Sequence, residues 1–143
     1  MASTLVIRRL IWVGPATVAL AVAAVALVQR IAIVLVQPIP AAFRFPMPSI
    51  EPLVAAALLV VAAVVVFAIM AEMAIDPIRT YRRTALVTLV ISFVPNVVAA
   101  ASWGSWQSAV ALAVMHVAAW AVTVTMLTRL GVVRSHADTI VEA

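Results

Sequence analysis

The chain has no cysteine and no lysine, and it sets five acidic residues against nine arginines in 143 positions. The absence of cysteine removes thiolate nucleophiles, disulfide exchange and cysteine-based metal sites, and with them the four-helix membrane thiol oxidoreductases as models. Without lysine there is no Schiff-base chemistry. Glycine occurs only three times. No glycine-rich phosphate loop, nucleophile elbow, metalloprotease helix or catalytic carboxylate pair can be read in the sequence. Nothing in it argues for an enzyme.

Apolar side chains dominate what remains. Hydrophobic residues make up 67% of the chain and charged residues 10%. The mean hydropathy is +1.26. These values lie far outside the range of soluble globular domains. Four stretches approach the roughly 20 apolar residues that a spanning helix needs: 10–28, 53–75, 84–102 and 109–130. The expected fold is all-α, a single polytopic membrane domain built as a four-transmembrane-helix bundle. A basic start followed by an apolar run resembles a signal peptide, but the run continues through Val28 without a polar cleavage region, so a retained first span is expected.

The arginines give the orientation. Seven fall near the N-terminus, in the 76–83 connection and near the C-terminus, against Arg30 and Arg44 on the other side. The positive-inside rule then puts both termini in the cytoplasm. Arg8, Arg9, Arg79, Arg82, Arg83 and Arg129 serve as interface anchors facing anionic lipid headgroups. Trp12 and Tyr81 belong to the inner aromatic belt, Trp103 and Trp106 to the outer. Arginines grouped in twos and threes between apolar runs need no nucleic acid to explain them.

Local signals mark the helix boundaries. Asp76 before Pro77 is an N-cap and first-turn pair for the third helix. Ser49 or Glu51 before Pro52 can start the second, and Ser105 the fourth. The outer connection, about 29–52, carries prolines 38, 40, 46, 48 and 52 and reads as stiff and extended. Residues 30–37 either prolong the first helix or lie on the bilayer surface. Residues 131–143 form a short polar tail.

Few polar residues interrupt the spans. Pro95 should free the carbonyl of Ile91, four residues earlier, and bend the third helix; a packing kink is favoured over a hinge. Asn96 lies thirteen residues after Arg83, and His116 thirteen before Arg129. At 1.5 Å rise both sit about 20 Å from the inner anchors. A short connection makes the third and fourth helices antiparallel neighbours, so an Asn96–His116 hydrogen bond is expected. Stripes accompany it: Thr88, Ser92 and Asn96 on the third helix, and Ala113, His116, Trp120 and Thr123 on the fourth. On the first, Gly14, Thr17, Ala21 and Ala24 form a small-residue face.

Glu72 lies seven residues before Arg79, about 10 Å inside the inner boundary. It reads equally as a proton or cation site and as an interfacial carboxylate paired with arginine. For His116 a polar clamp to Asn96 outweighs a proton relay or cofactor ligand. Asn96, His116, Ser92, Trp120, Glu72 and Thr123 thus form the candidate intramembrane polar site. No metal and no cofactor are expected.

The segments "RRLIWVGP", "PIRTYRR", "ISFVPN" and "MHVAAWAVTVTMLTRL" resemble an uncharacterised family of short bacterial membrane proteins with four predicted spans. The resemblance covers Arg8 to Gly131 and implies residence in the bacterial inner membrane. It brings no activity and no site.

Two functional expectations follow. One is a structural or accessory helical-bundle protein, acting as a homo-oligomer or beside a partner in a membrane complex, with its small-residue faces used for packing. The other is a carrier or binder of a small lipophilic ligand, or of protons, through an intramembrane polar cavity.

Overall fold

The computed structural model describes residues 2–36, 50–103 and 106–131, with side chains at 8–35, 50–98, 101 and 106–131. The proline-rich connection, Ser49, Ser105, the Trp103 side chain and the polar tail lie outside the described positions. Every described element is a helix: α1 (Ala2–Val36), α2 (Glu51–Met73), α3 (Pro77–Trp103) and α4 (Trp106–Leu130).

Residues 30–36 prolong α1 rather than starting a separate surface segment. At 1.5 Å per residue its 35 residues extend about 52 Å, well beyond a hydrocarbon core of about 30 Å. Pro15 lies inside α1 and Pro95 inside α3, and each helix continues through its proline. Among the described residues three helices are long and apolar enough to cross a membrane: Arg8–Leu35 of α1, α2 and α4. The fourth expected span, 84–102, runs past the side chains described on α3. α3 opens on Arg79, Arg82 and Arg83 and then places Thr84, Thr88, Ser92, Pro95 and Asn96 along its length. Its continuous run of described side chains ends at residue 98 and falls short of the level of the other three.

Local chemistry sets the helix ends. Asp76 caps α3 as its sequence implies: its Oδ1 accepts from Arg79 N–H at 3.0 Å and its carbonyl from Thr80 N–H at 3.1 Å. Pro77 occupies the first helical position, where its missing donor is harmless. α2 starts at Glu51 with Pro52 in the first turn, and the preceding Ile50 offers no side-chain cap.

The helices form a ring, α1 against α2, α2 against α3, α3 against α4 and α4 back against α1. α1 and α4 meet most extensively. Against α4 and α2 together, α1 buries a helical stripe, Leu10, Gly14, Thr17, Ala21, Val25, Gln29 and Ala32, at steps of three and four. The small-residue face is therefore used inside the bundle. A Cβ on Gly14 would lie 3.2 Å from Val64 Cγ1, so α1 and α2 approach closely there. Thr17, wholly buried, donates its hydroxyl to the Val13 carbonyl at 2.7 Å.

All four helices converge on one core cluster at the arginine-rich end: Leu10, Phe67, Tyr81, Val124 and Leu127. The Phe67 and Tyr81 rings meet edge to face, with centroids 4.9 Å apart and planes at 79°. Tyr81 is 3% exposed and packs within the bundle rather than on its surface. Its ring turns inward because Phe67 offers an edge-to-face partner across the three-residue connection 74–76. Trp12 and Trp106 are exposed, as belt residues must be. So are many of the large apolar side chains of α2 and α3, among them Leu58, Leu59, Val90 and Ile91, a surface suited to lipid rather than water.

Candidate functional site

Above the core cluster the ring opens. A cavity of about 560 Å³ lies between α2, α3 and α4, and Val25 of α1 also reaches it. Its existence follows from small side chains. α2 contributes Ala55, Ala56, Ala62 and Ala63, and α4 contributes Ala119, where larger residues would have filled the gap. Tyr81 and Val124 close it toward the arginine-rich end.

The cavity has a floor and two rims. Its α4 lining residues, Leu112, Met115, His116, Ala119, Trp120, Thr123 and Val124, are all buried or half-buried. On α2, Glu51, Ala55, Leu59, Ala62 and Val66 are exposed, as are Thr84 and Thr88 on α3. The mouth is therefore the seam between α2 and α3. It faces sideways from the bundle.

The polar groups around this apolar space are few. Ser92 lines it, with its hydroxyl already donating to the Leu89 carbonyl at 2.7 Å. His116 Nδ1 is 2.7 Å from the Leu112 carbonyl, so that nitrogen carries a proton and donates it. A ring with one proton then offers Nε2 as a lone-pair acceptor. Trp120 Nε1 and Thr123 Oγ1 are buried and find no hydrogen-bond partner among the described residues. Thr123 is 5% exposed. Orphaned polar atoms of this kind are uncommon in native interiors, where an unmade bond costs about 1–3 kcal/mol. Both residues line the cavity.

Asn96 does reach His116 across the α3–α4 interface, Nδ2 to Nδ1 at 3.5 Å. That separation is at the limit of a hydrogen bond. Because Nδ1 donates to Leu112, an Asn96 N–H opposite it would set donor against donor. Turning the amide so that Oδ1 faces the ring removes the conflict. Phe93 flanks the pair, its ring centroid 6.4 Å from that of His116.

Of the six candidate polar residues, Ser92, His116, Trp120 and Thr123 share the cavity and Asn96 stands behind His116. Glu72 does not join them. It is exposed near the end of α2, beyond the core cluster that closes the cavity. Reasoning from depth alone missed this, because α2 is apolar all round and no stripe tells which side faces inward.

A second cleft, of about 320 Å³, lies between α3 and α4 at the arginine-rich end. It is lined by Arg82, Leu86, Trp120, Val124, Thr125, Thr128 and Arg129. Arg82 Nη2 lies 3.5 Å from Thr128 Oγ1, which itself donates to the Val124 carbonyl at 2.7 Å. Trp120 and Val124 form the wall between the two spaces. Tyr81, three residues before the apolar part of α3, has its phenol pushed up to about 12 by burial.

No protein-family model, curated protein or solved structure matches the chain.

Proposed function

We propose that the protein is a non-catalytic binder or carrier of a small lipophilic molecule, held in the cavity between α2, α3 and α4 of a bundle embedded in the bacterial inner membrane. The observation that carries this reading is an almost wholly apolar cavity, open to the side, whose lining includes the two residues that hold orphaned polar atoms, Trp120 and Thr123. A guest's apolar body fills the space, and a hydrogen-bond acceptor on it bonds these two groups once their side chains turn out of the surrounding packing. Entry runs laterally through the α2–α3 seam, from the hydrocarbon in which such a guest dissolves.

The membrane arrangement belongs to the same proposal. α3 completes a fourth crossing despite its polar residues, because it lies between α2 and α4 and its 27 residues extend about 40 Å. Ser92 and Asn96 bond inside the bundle, which lowers the cost of carrying them through hydrocarbon. The arginine-rich end, with Arg8, Arg9, Arg79, Arg82, Arg83 and Arg129, faces the cytoplasm.

The accessory-subunit reading remains the alternative, and the burial of Gly14, Thr17 and Ala21 within the bundle is compatible with both. Native mass spectrometry after lipid-preserving extraction separates the two. A binder retains one apolar small molecule per chain. Ala63→Phe and Ala119→Phe, which fill the space, should release it while circular dichroism keeps its helical signal. Retention unchanged by both fillings, or a co-retained protein with no small molecule, sinks the proposal.

A further inference from the structure

The cleft between α3 and α4 has a different chemistry from the cavity behind it. Arg82 and Arg129 come from different helices and meet at one opening, and no acidic residue lines it. Arg129 stands in the last turn of α4, and Arg82 in the second turn of α3, so each helix brings its arginine to the same end of the bundle. Thr128, 7% exposed, faces the Arg82 guanidinium at 3.5 Å, the outer limit of a hydrogen bond, and so places that guanidinium at the cleft wall. Arg82 and Arg129 are themselves exposed, and beside them Leu86, 51% exposed, offers an apolar shelf.

We propose that this cleft is a specific site for the phosphate group of an anionic phospholipid. Two guanidiniums present forked donors that match phosphate oxygens, and arginine is the side chain suited to that geometry. The volume, about ten times the roughly 30 Å³ share of one water, admits a phosphate and part of its glycerol. The acyl chains then run along Leu86 and the exposed apolar face of α3, where Val90 and Ile91 continue the shelf. Basic clefts between helices at a membrane surface bind phospholipid headgroups in this way. The site differs from the diffuse attraction of an arginine-rich boundary in holding one lipid at one place. It does not depend on the cavity holding a guest.

The test uses the full chain reconstituted in phosphatidylcholine nanodiscs with a minor fraction of phosphatidylglycerol, and reads retained lipid by native mass spectrometry. One phosphatidylglycerol per chain is expected to survive extraction. R82Q/R129Q should weaken its retention on the order of tenfold, whereas R79Q/R83Q, which removes the same charge outside the cleft, should leave it unchanged. Equal losses from both pairs would reduce the effect to net charge and overturn the site. Should the first double variant not fold, the single R129Q, an exposed residue at the end of α4, carries the same expectation. Two further arms separate the sources. Oleate retained as well as phosphatidylglycerol would refute phosphate recognition, and inorganic phosphate that displaces the lipid at millimolar concentration would assign the cleft to a free anion instead.

Discussion

Asn96 Nδ2 and His116 Nδ1 lie 3.5 Å apart and join α3 to α4, but the short bond of the imidazole, 2.7 Å, goes to the Leu112 carbonyl within its own helix. The ring is thus oriented by α4, and the cross-helix contact is secondary. Its role is to keep a buried amide from being alone in an apolar interface.

Asn96→Leu should therefore change stability by less than about 1 kcal/mol, because it removes a weak contact and an amide that is costly to bury. Thermal unfolding in detergent checks this. A loss several times larger would mean that the contact, rather than helix packing, holds α3 to α4.

Phe67 should matter far more. It is wholly buried, meets the Tyr81 ring, and lies where a Cβ on Gly131 would come within 2.8 Å of its Cε1. Phe67→Ala removes the centre of the cluster on which four helices converge and should cost about 3–5 kcal/mol. Gly131→Ala attacks the same place from the other side, since the new Cβ would also lie 2.5 Å from the Leu127 carbonyl. A melting temperature unchanged by either substitution would contradict this account of the core.

The Asp76–Pro77 start of α3, the shared depth of Asn96 and His116, and the inward stripe of α1 were all legible in the sequence. Each rests on a local rule, capping, rise per residue or small-residue spacing, that tertiary context did not override. The cavity was only half legible. Its polar residues on α3 and α4 could be named, but the gap itself is made by alanines on α2, a helix with no polar face to orient it. The same lack of pattern misplaced Glu72. Arg82 and Arg129 looked like separate anchors because 46 residues of sequence separate Arg82 from its partner Thr128, and only packing brings them to one cleft.

Tyr81 is the only tyrosine of the chain, so its ionisation can be followed directly at 295 nm. Its folded-state value of about 12 lies above the ordinary tyrosine value of 10.0 because burial penalises the phenolate. The sign follows from that direction. Stability contributed by the neutral ring is complete below pH 10, where both folded and unfolded chains keep the proton, and it is lost as pH rises toward 12. Titration is expected near 12 in the folded protein and near 10 in denaturant. A folded-state midpoint at 10 would mean that the ring is wet.

Thr123→Val separates the roles of fold and site at one atom. The substitution keeps the branched shape of the side chain and replaces the hydroxyl that finds no partner with a methyl group. If nothing but packing depends on Thr123, deleting an unsatisfied buried hydroxyl should stabilise the empty protein by about 1–3 kcal/mol. If the hydroxyl also bonds a guest, the same change should lower ligand retention and cancel the thermal gain in ligand-bound protein, because the bond that offset burial has gone. The expected result is therefore a higher melting temperature for delipidated Thr123→Val together with weaker retention of the small molecule. Trp120→Phe, which removes the other orphaned donor, should reproduce the loss of retention. Retention unaffected by both substitutions would leave the two atoms as uncompensated features of the fold and would withdraw the main support for a guest in the cavity.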